Sequence, residues 1–554
     1  MNRRFLFVIA LCCVGSFLLG AFFKPVITPI TADMANYASQ IMGIEFNAAE
    51  RDSMLDNLND QRLGYERVRK ISLTNDVAPA LLFNPVPEGF VFEKTVKPFI
   101  ASRLTDIKLP KNRDSLAFYT VAELGVLIRS RQITSVELTQ FFLNRLQKYR
   151  PVLLNVITLT EDLALQQAAQ ADAEIKAGKY RGPLHGIPFG AKDLLARQGY
   201  PTTWGSNIYK NQMLPYTATV IQKLEKAGAV LVAKMSVGEF AWGDVWYGGM
   251  TRNPWNPQTG ASGSSAGSGS AVAAGCLPFA IGTETLGSIV SPATVNGVTG
   301  LRPTFGRVSR FGAMALSWSM DKIGPMTRSV EDCALVFEAI RGADGKDAVV
   351  RDLPFNYAPF QSLKGVRVGY LKKAFESDYG NRANDSLSLL RLRQLGAELV
   401  PFELPNYPVN DLTIAIGVEG GAAFDNLTRS NEDDKMVRQG KNAWPNEFRS
   451  ARFIPAVEYI QAQRVRTKMI QDLYQTLKKQ NFEVYITPTY AGGNLTYTNL
   501  SGHPSLCLPN GFNKNKLPTS ITFSAQLYAE AKLLAVGKAY QDATKWHKMH
   551  PTGF

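Results

Sequence analysis

Nineteen consecutive positions near the N-terminus, Phe5 to Phe23, are uncharged and almost wholly apolar, and they follow Arg3 and Arg4. As a helix such a run spans ~28 Å at ~1.5 Å per residue, close to the thickness of a bilayer core. With Lys24-Pro25 closing it, residues 1–24 read as a signal peptide or signal anchor, the remainder being exported to a periplasmic or other extracytoplasmic space. Leu19 is too large for a good small-x-small cleavage site before Ala21, which favours an uncleaved anchor. Beyond it the pattern turns helical. Over 33–70, Met42, Ile44, Phe46, Met54, Leu55, Leu58 and Leu63 recur among acids and bases. Residues 75–110 are rich in proline and aromatics and read as an extended connector, so 25–111 forms a helical arm and connector.

The next helix is predicted from Val121 to Tyr149, split near Ile133-Thr134, where Thr134-Ser135 followed by Glu137 resembles an N-terminal cap. From about 150 to 345, short apolar runs at Ile187-Pro188-Phe189, Val230 to Ala233 and Leu277 to Ile281 alternate with glycine-rich turns and helical patterns such as Thr219 to Ala227. Further strands are expected at Val366 to Tyr370 and Val484 to Thr487, with a long helix from Val457 to Lys479 between them. That alternation predicts an α/β layered domain over 112–554. Its region 345–480 carries no readable motif.

Composition narrows the partners. A hydrophobic fraction of 45% with 19% charged residues is that of a globular chain. The net charge of +14 comes from scattered basic residues mixed with acids, without a run of like charge or a nucleic-acid motif beside it. A solvated basic surface is expected, and no nucleic-acid partner. Five cysteines, two of them in the apolar N-terminal run, make neither a disulfide framework nor a C-x-x-C pair. Clustered histidine and acidic ligands are also missing from the pattern, so neither metal nor cofactor is expected.

The most informative stretch is Gly260 to Gly300. Its Gly/Ser opening resembles a linker, yet Glu284 is the only charged residue between Arg252 and Arg302, and Val272, Leu277, Phe279, Ile281, Ile289, Val295 and Val298 follow closely. A solvated linker has no reason to be so apolar. Small residues in an uncharged core let backbones approach closely and present N–H groups to a ligand.

Here the chain resembles the amidase-signature family, whose members carry Gly-Gly-Ser-Ser-Gly-Gly-Ser followed by Gly-Thr-Asp/Glu-Thr-x-Gly-Ser-Ile. The first motif stands as Ser262-Gly263-Ser264-Ser265-Ala266-Gly267-Ser268 and the second as Gly282-Thr283-Glu284-Thr285-Leu286-Gly287-Ser288-Ile289. Upstream, Gly182 to Asp193 (GPLHGIPFGAKD) is similar to the family's lysine segment. Downstream, Gly300 to Ser309 and Asp321 to Arg328 also fit, with weaker continuations at Thr487-Pro488-Thr489 and Gly502-His503-Pro504. The resemblance implies an α/β/α sandwich around a large twisted mixed β-sheet, and an amidase that needs neither metal nor cofactor. Its substrate would be a small-molecule or peptide amide, cleaved through an acyl-enzyme.

Carried over by position, the resemblance makes Ser288 the nucleophile, Ser264 the bridging serine on a cis Gly263–Ser264 bond, and Lys192 the base. Backbone N–H groups of Thr285, Leu286, Gly287 and Ser288 become the oxyanion hole. The chemistry is coherent by itself: a serine hydroxyl needs a neighbouring base, and burial favours the neutral amine of a lysine. The chain departs from the family pattern at Leu286, where glycine or aspartate is common, at Ser262 and Ala266, where glycine is usual, and at Val290, where many members have arginine.

Other readings compete. Within the family, the chain could be the glutaminase subunit of a tRNA-dependent amidotransferase, or a disabled binding protein on the same fold. Outside it, Gly263 to Gly267 also matches G-x-S-x-G, the nucleophile elbow of α/β-hydrolases, with Ser265 as nucleophile. That enzyme needs a catalytic histidine, and His503 is the candidate among His185, His503, His547 and His550. A lone surface lysine paired with Asp193 is the bland reading of Lys192.

Overall fold

The computed structural model describes residues 28–554. The apolar run Phe5 to Phe23 lies outside them, and among the described residues no helix is long and apolar enough to cross a membrane. The chain divides after Thr74 into two compact units. In the smaller one, the helical pattern of 33–70 resolves into two helices, Ala32–Met42 and Ala48–Arg69. Gly43 ends the first at φ +68°, a left-handed conformation that costs glycine little. Asn47 starts the second, its side chain and that of Glu50 each bonding the other's backbone N–H.

The larger unit, Asn75–Phe554, is built on an eleven-stranded sheet. In spatial order the strands are Val156–Leu159, Val230–Met235, Pro188–Lys192, Phe279–Glu284, Lys322–Thr327, Thr299–Arg302, Ser505–Phe512, Pro518–Ala525, Val484–Pro488, Arg367–Leu371 and Glu398–Phe402. Strand 188–192 runs parallel to both neighbours, and so does strand 367–371; the remaining pairs are antiparallel. The mixed α/β sheet expected from the alternating runs is present.

Period-two alternation puts successive side chains on opposite faces of the sheet. Leu231, Phe189, Ala191, Phe279 and Ile281 join one apolar cluster, with Leu124, Val336 and Leu533 from helices on that side. Val230, Val232 and Ala280 join another, with Leu146, Val272 and Ala293. Helices thus cover both faces, which gives the α/β/α layering.

The helix predicted from Val121 to Tyr149 is two, Val121–Arg129 and Ser135–Leu153, divided where expected. Thr134 caps the second, its Oγ1 accepting from the Glu137 N–H at 3.1 Å. The long helix is Ala456–Gln480. Residues 75–110 contain neither helix nor strand and lie along the larger unit, where the Ile100 N–H donates to Tyr357 O at 2.9 Å. Cys276, Cys333 and Cys507 are buried and unbridged.

Candidate active site

Lys192 ends strand Pro188–Lys192, on the face shared with Gly190. A Cβ at Gly190 would come within 2.6 Å of Leu277 Cδ1, so a larger residue there would push that side chain and Met235 aside. Lys192 is fully buried. Its Nζ lies 2.9 Å from Ser264 Oγ, 2.7 Å from Thr283 Oγ1 and 3.2 Å from Thr283 O. Burial pushes its pKa down from the ordinary lysine value to about 7, against the opposing pull of the Asp321 and Glu284 carboxylates. Asp193 is not its partner: that carboxylate pairs with Lys234 at 2.5 Å and accepts from Thr203.

Ser264 precedes the helix Ala266–Ala273. The Gly263–Ser264 peptide is cis, as the family pattern implies. A side chain at 263 would collide with the carbonyl of Gly243, 1.7 Å from an added Cβ. Ser262 holds φ +57° where the family has glycine, and its N–H donates to Asp244 Oδ2 at 3.1 Å.

Ser265 turns its hydroxyl away from any histidine. The Oγ donates to Thr283 O at 3.1 Å and accepts from Thr283 N–H at 3.2 Å, which ties this segment to strand Phe279–Glu284. The Ser265 N–H donates to Ser288 O at 3.2 Å, so the two serine segments are joined through their backbones. His503, the partner a nucleophile elbow would require, is buried with its ring against Ser501 at 2.8 Å and Gln526 at 3.1 Å. The structure therefore does not bring Ser265 and His503 into one site.

Ser288 sits in the turn between strand Phe279–Glu284 and helix Val290–Asn296, nearly buried. Gly287 takes φ +83° in this turn. The N–H groups of Thr285, Leu286, Gly287 and Ser288 find no protein acceptor among the described residues. Successive N–H groups without a protein acceptor can receive a small anionic oxygen. Leu286 is half-buried beside them.

Two carboxylates hold this loop, and neither has a role assigned by the motifs alone. Glu284 accepts from the N–H groups of Ile289 (2.8 Å) and Val290 (2.9 Å), from Arg302 (2.6 Å) and from Asn499 (2.8 Å). Burial alone would raise its pKa, but Arg302 and the two amides outweigh that and hold it at about 2. Asp321 accepts from Thr285 Oγ1 at 2.5 Å and from the N–H groups of Leu316 and Ser317. The signal for Glu284 is its isolation as the one charge between Arg252 and Arg302; Asp321 has none beyond its place in the DKIGPMTR motif.

The chain is similar to known proteins in both sequence and fold. The sequence profile of the Amidase family matches residues 137–534. The glutamyl-tRNA(Gln) amidotransferase A chain of Pseudomonas savastanoi pv. phaseolicola is 35% identical over 484 residues, spanning 78% of this chain and 99% of that protein. Its counterpart in Coxiella burnetii is 34% identical over 483 residues, with 78% and 99% covered. Among solved structures, native peptide amidase from Stenotrophomonas maltophilia aligns with a TM-score of 0.70 at 30% identity, over 79% of this chain and 98% of that one. An amidase family protein from Bacillus anthracis str. Ames aligns with a TM-score of 0.70 at 26% identity, over 78% and 92%.

Proposed function

The chain belongs to the amidase family and is a serine enzyme that hydrolyses carboxamides, and on that premise we propose that Ser288, Ser264 and Lys192 carry the reaction. The observation behind this assignment is the contact of a buried Lys192 amine, its pKa near 7, with Ser264 Oγ. A protonated Lys192 donates to all three of its oxygen neighbours. A neutral one has two hydrogens and one lone pair. The hydrogens suit Thr283 O and Thr283 Oγ1, and the lone pair suits the Ser264 hydroxyl proton.

The step then runs as a relay. Neutral Lys192 takes the Ser264 proton as Ser264 takes the proton of Ser288, and Ser288 Oγ adds to the carboxamide carbon. The carbonyl oxygen, now anionic, is received by the N–H groups of 285–288, each donor worth roughly 3 kcal/mol in such sites. The relay returns the proton to the leaving nitrogen, which departs as ammonia or an amine. Water attacks the acyl-enzyme by the same relay and frees the acid.

The test is ammonia release from a panel of primary amides. Ser288→Ala is expected to abolish turnover, and Lys192→Ala to cost roughly 10²–10⁴-fold, the range of a general base. Ser265→Ala and His503→Ala are expected to remain active. Dependence on Ser265 and His503, with turnover surviving at Ser288, would sink the assignment.

The identity to the amidotransferase A chains supports a second reading, in which glutamine is the amide and ammonia is passed on to a partner. Glutamine preferred over every other amide would favour it. We further propose that residues 5–23 hold the enzyme to a membrane with the remainder exported. The support is the uncharged run behind two arginines. Full-length protein is expected in the membrane fraction and residues 28–554 in the supernatant. Equal distribution of the two would reject an anchor.

A further inference from the structure

A cavity of about 170 Å³ adjoins the cluster, reaching Thr283 and Thr285 and passing Leu194, Met314, Leu316 and Ile323. Thr283 is the residue in contact with Lys192, and Thr285 begins the loop of free N–H groups. The cavity and the reacting carbonyl therefore share a wall. Apart from Asp76, which is exposed at its rim, the charged side chains around it have contacts of their own. Arg310 is paired with Asp347 at 2.8 Å. Lys346 lies 4.2 Å from the centre of the Phe311 ring, and Lys322 donates to Met320 O. Asp321 holds its three donors.

Residues 75–82 border the same cavity through Asn75, Asp76, Ala78 and Leu82. Asn75 clasps one peptide at both of its polar atoms. Its Nδ2 donates to Ala315 O at 2.9 Å, and the Ala315 N–H donates to its Oδ1 at 2.7 Å. Ala315 lies between Met314 and Leu316, so the clasp fixes two wall residues. This strap lies outside the 137–534 stretch that matches the family.

We propose that the strap 75–82, held by Asn75, completes a pocket for the acyl part of the substrate, and that this part is neutral, apolar and about the size of a benzene ring. The proposal rests on the serine-amidase reading above. An apolar cavity of about 150 Å³ takes up benzene. The charged α-ammonium and carboxylate of glutamine would instead lose water against its apolar wall.

Turnover of phenylacetamide, acetamide and glutamine by the full chain tests this. Phenylacetamide is expected to exceed the other two in kcat/KM by about tenfold or more, the scale on which an apolar pocket discriminates. Asn75→Ala and Met314→Trp, the first loosening the wall and the second filling the space, are each expected to reduce the phenylacetamide-to-acetamide ratio at least about fivefold, through KM rather than kcat. Glutamine as the best substrate, or a ratio unmoved by both variants, overturns the pocket while leaving the serine mechanism standing. If no amide is turned over, the serine reading fails, and calorimetric titration of phenylacetamide into Ser288→Ala judges the pocket separately. Binding that Met314→Trp removes supports it; absent binding overturns it.

Discussion

A lysine in water keeps its proton up to a pH near 10.5, whereas Lys192 is held at about 7 by burial. In the proposed relay the neutral amine is the working form, so kcat/KM is expected to rise with pH through about 7 and fall away below it. For stability the sign is the same. Between about 7 and 10.5 the unfolded chain binds the proton that the folded chain has lost, so stability grows with pH across that window. Below about 7 the folded protein carries the full penalty, on the order of 4–5 kcal/mol for a gap of this size. Lys192→Met, which removes the proposed base, is therefore expected to be more stable than wild type at pH 7. The advantage should shrink as pH approaches 10.5, as read by urea denaturation. A variant less stable at pH 7 would mean that the ammonium is satisfied where it sits.

The turn 285–288 is held from outside by two strands rather than by its own residues. Glu284 closes the strand before it, and Arg302 on strand Thr299–Arg302 pairs with that carboxylate while also donating to His503 O and Ser505 Oγ. Arg302→Met leaves a buried carboxylate uncompensated, a loss expected at roughly 3–5 kcal/mol in urea denaturation. A loss below about 1 kcal/mol would show that the pair does not anchor the turn. Legibility in the sequence follows the same division. Strands with continuous apolar runs, such as Val230–Met235 and Val484–Pro488, are readable, as is the Thr134 cap, because their causes are local. Strands Thr299–Arg302, Lys322–Thr327 and Ser505–Phe512 leave no such trace. They carry glycine, proline and charge, and they exist through pairing with distant partners. In the site, Lys192, Ser264 and Ser288 are marked by their motifs; Thr283 and Asp321 also stand in motif segments, but what they do there depends on contacts dozens of residues away.

At the scale of the molecule, the groups proposed to react come from three separate stretches gathered at neighbouring strands of one sheet. Strand Pro188–Lys192 pairs in parallel with strand Phe279–Glu284, which brings Lys192 beside the turn that follows the second strand. Ser264 arrives on the loop before a helix packed against them. Lys192 and Ser264 are fully buried there, while Ser288 keeps a little exposure. The same enclosure reaches the sulfur atoms. Burial pushes the Cys276 thiol up to about 12, Cys507 to about 11 and Cys333 higher still, so each stays a neutral thiol. Thiolate is the form that attacks alkylating agents and disulfides. The three buried thiols of the folded unit thus offer little thiolate to an alkylating agent or a disulfide, whatever the redox state outside.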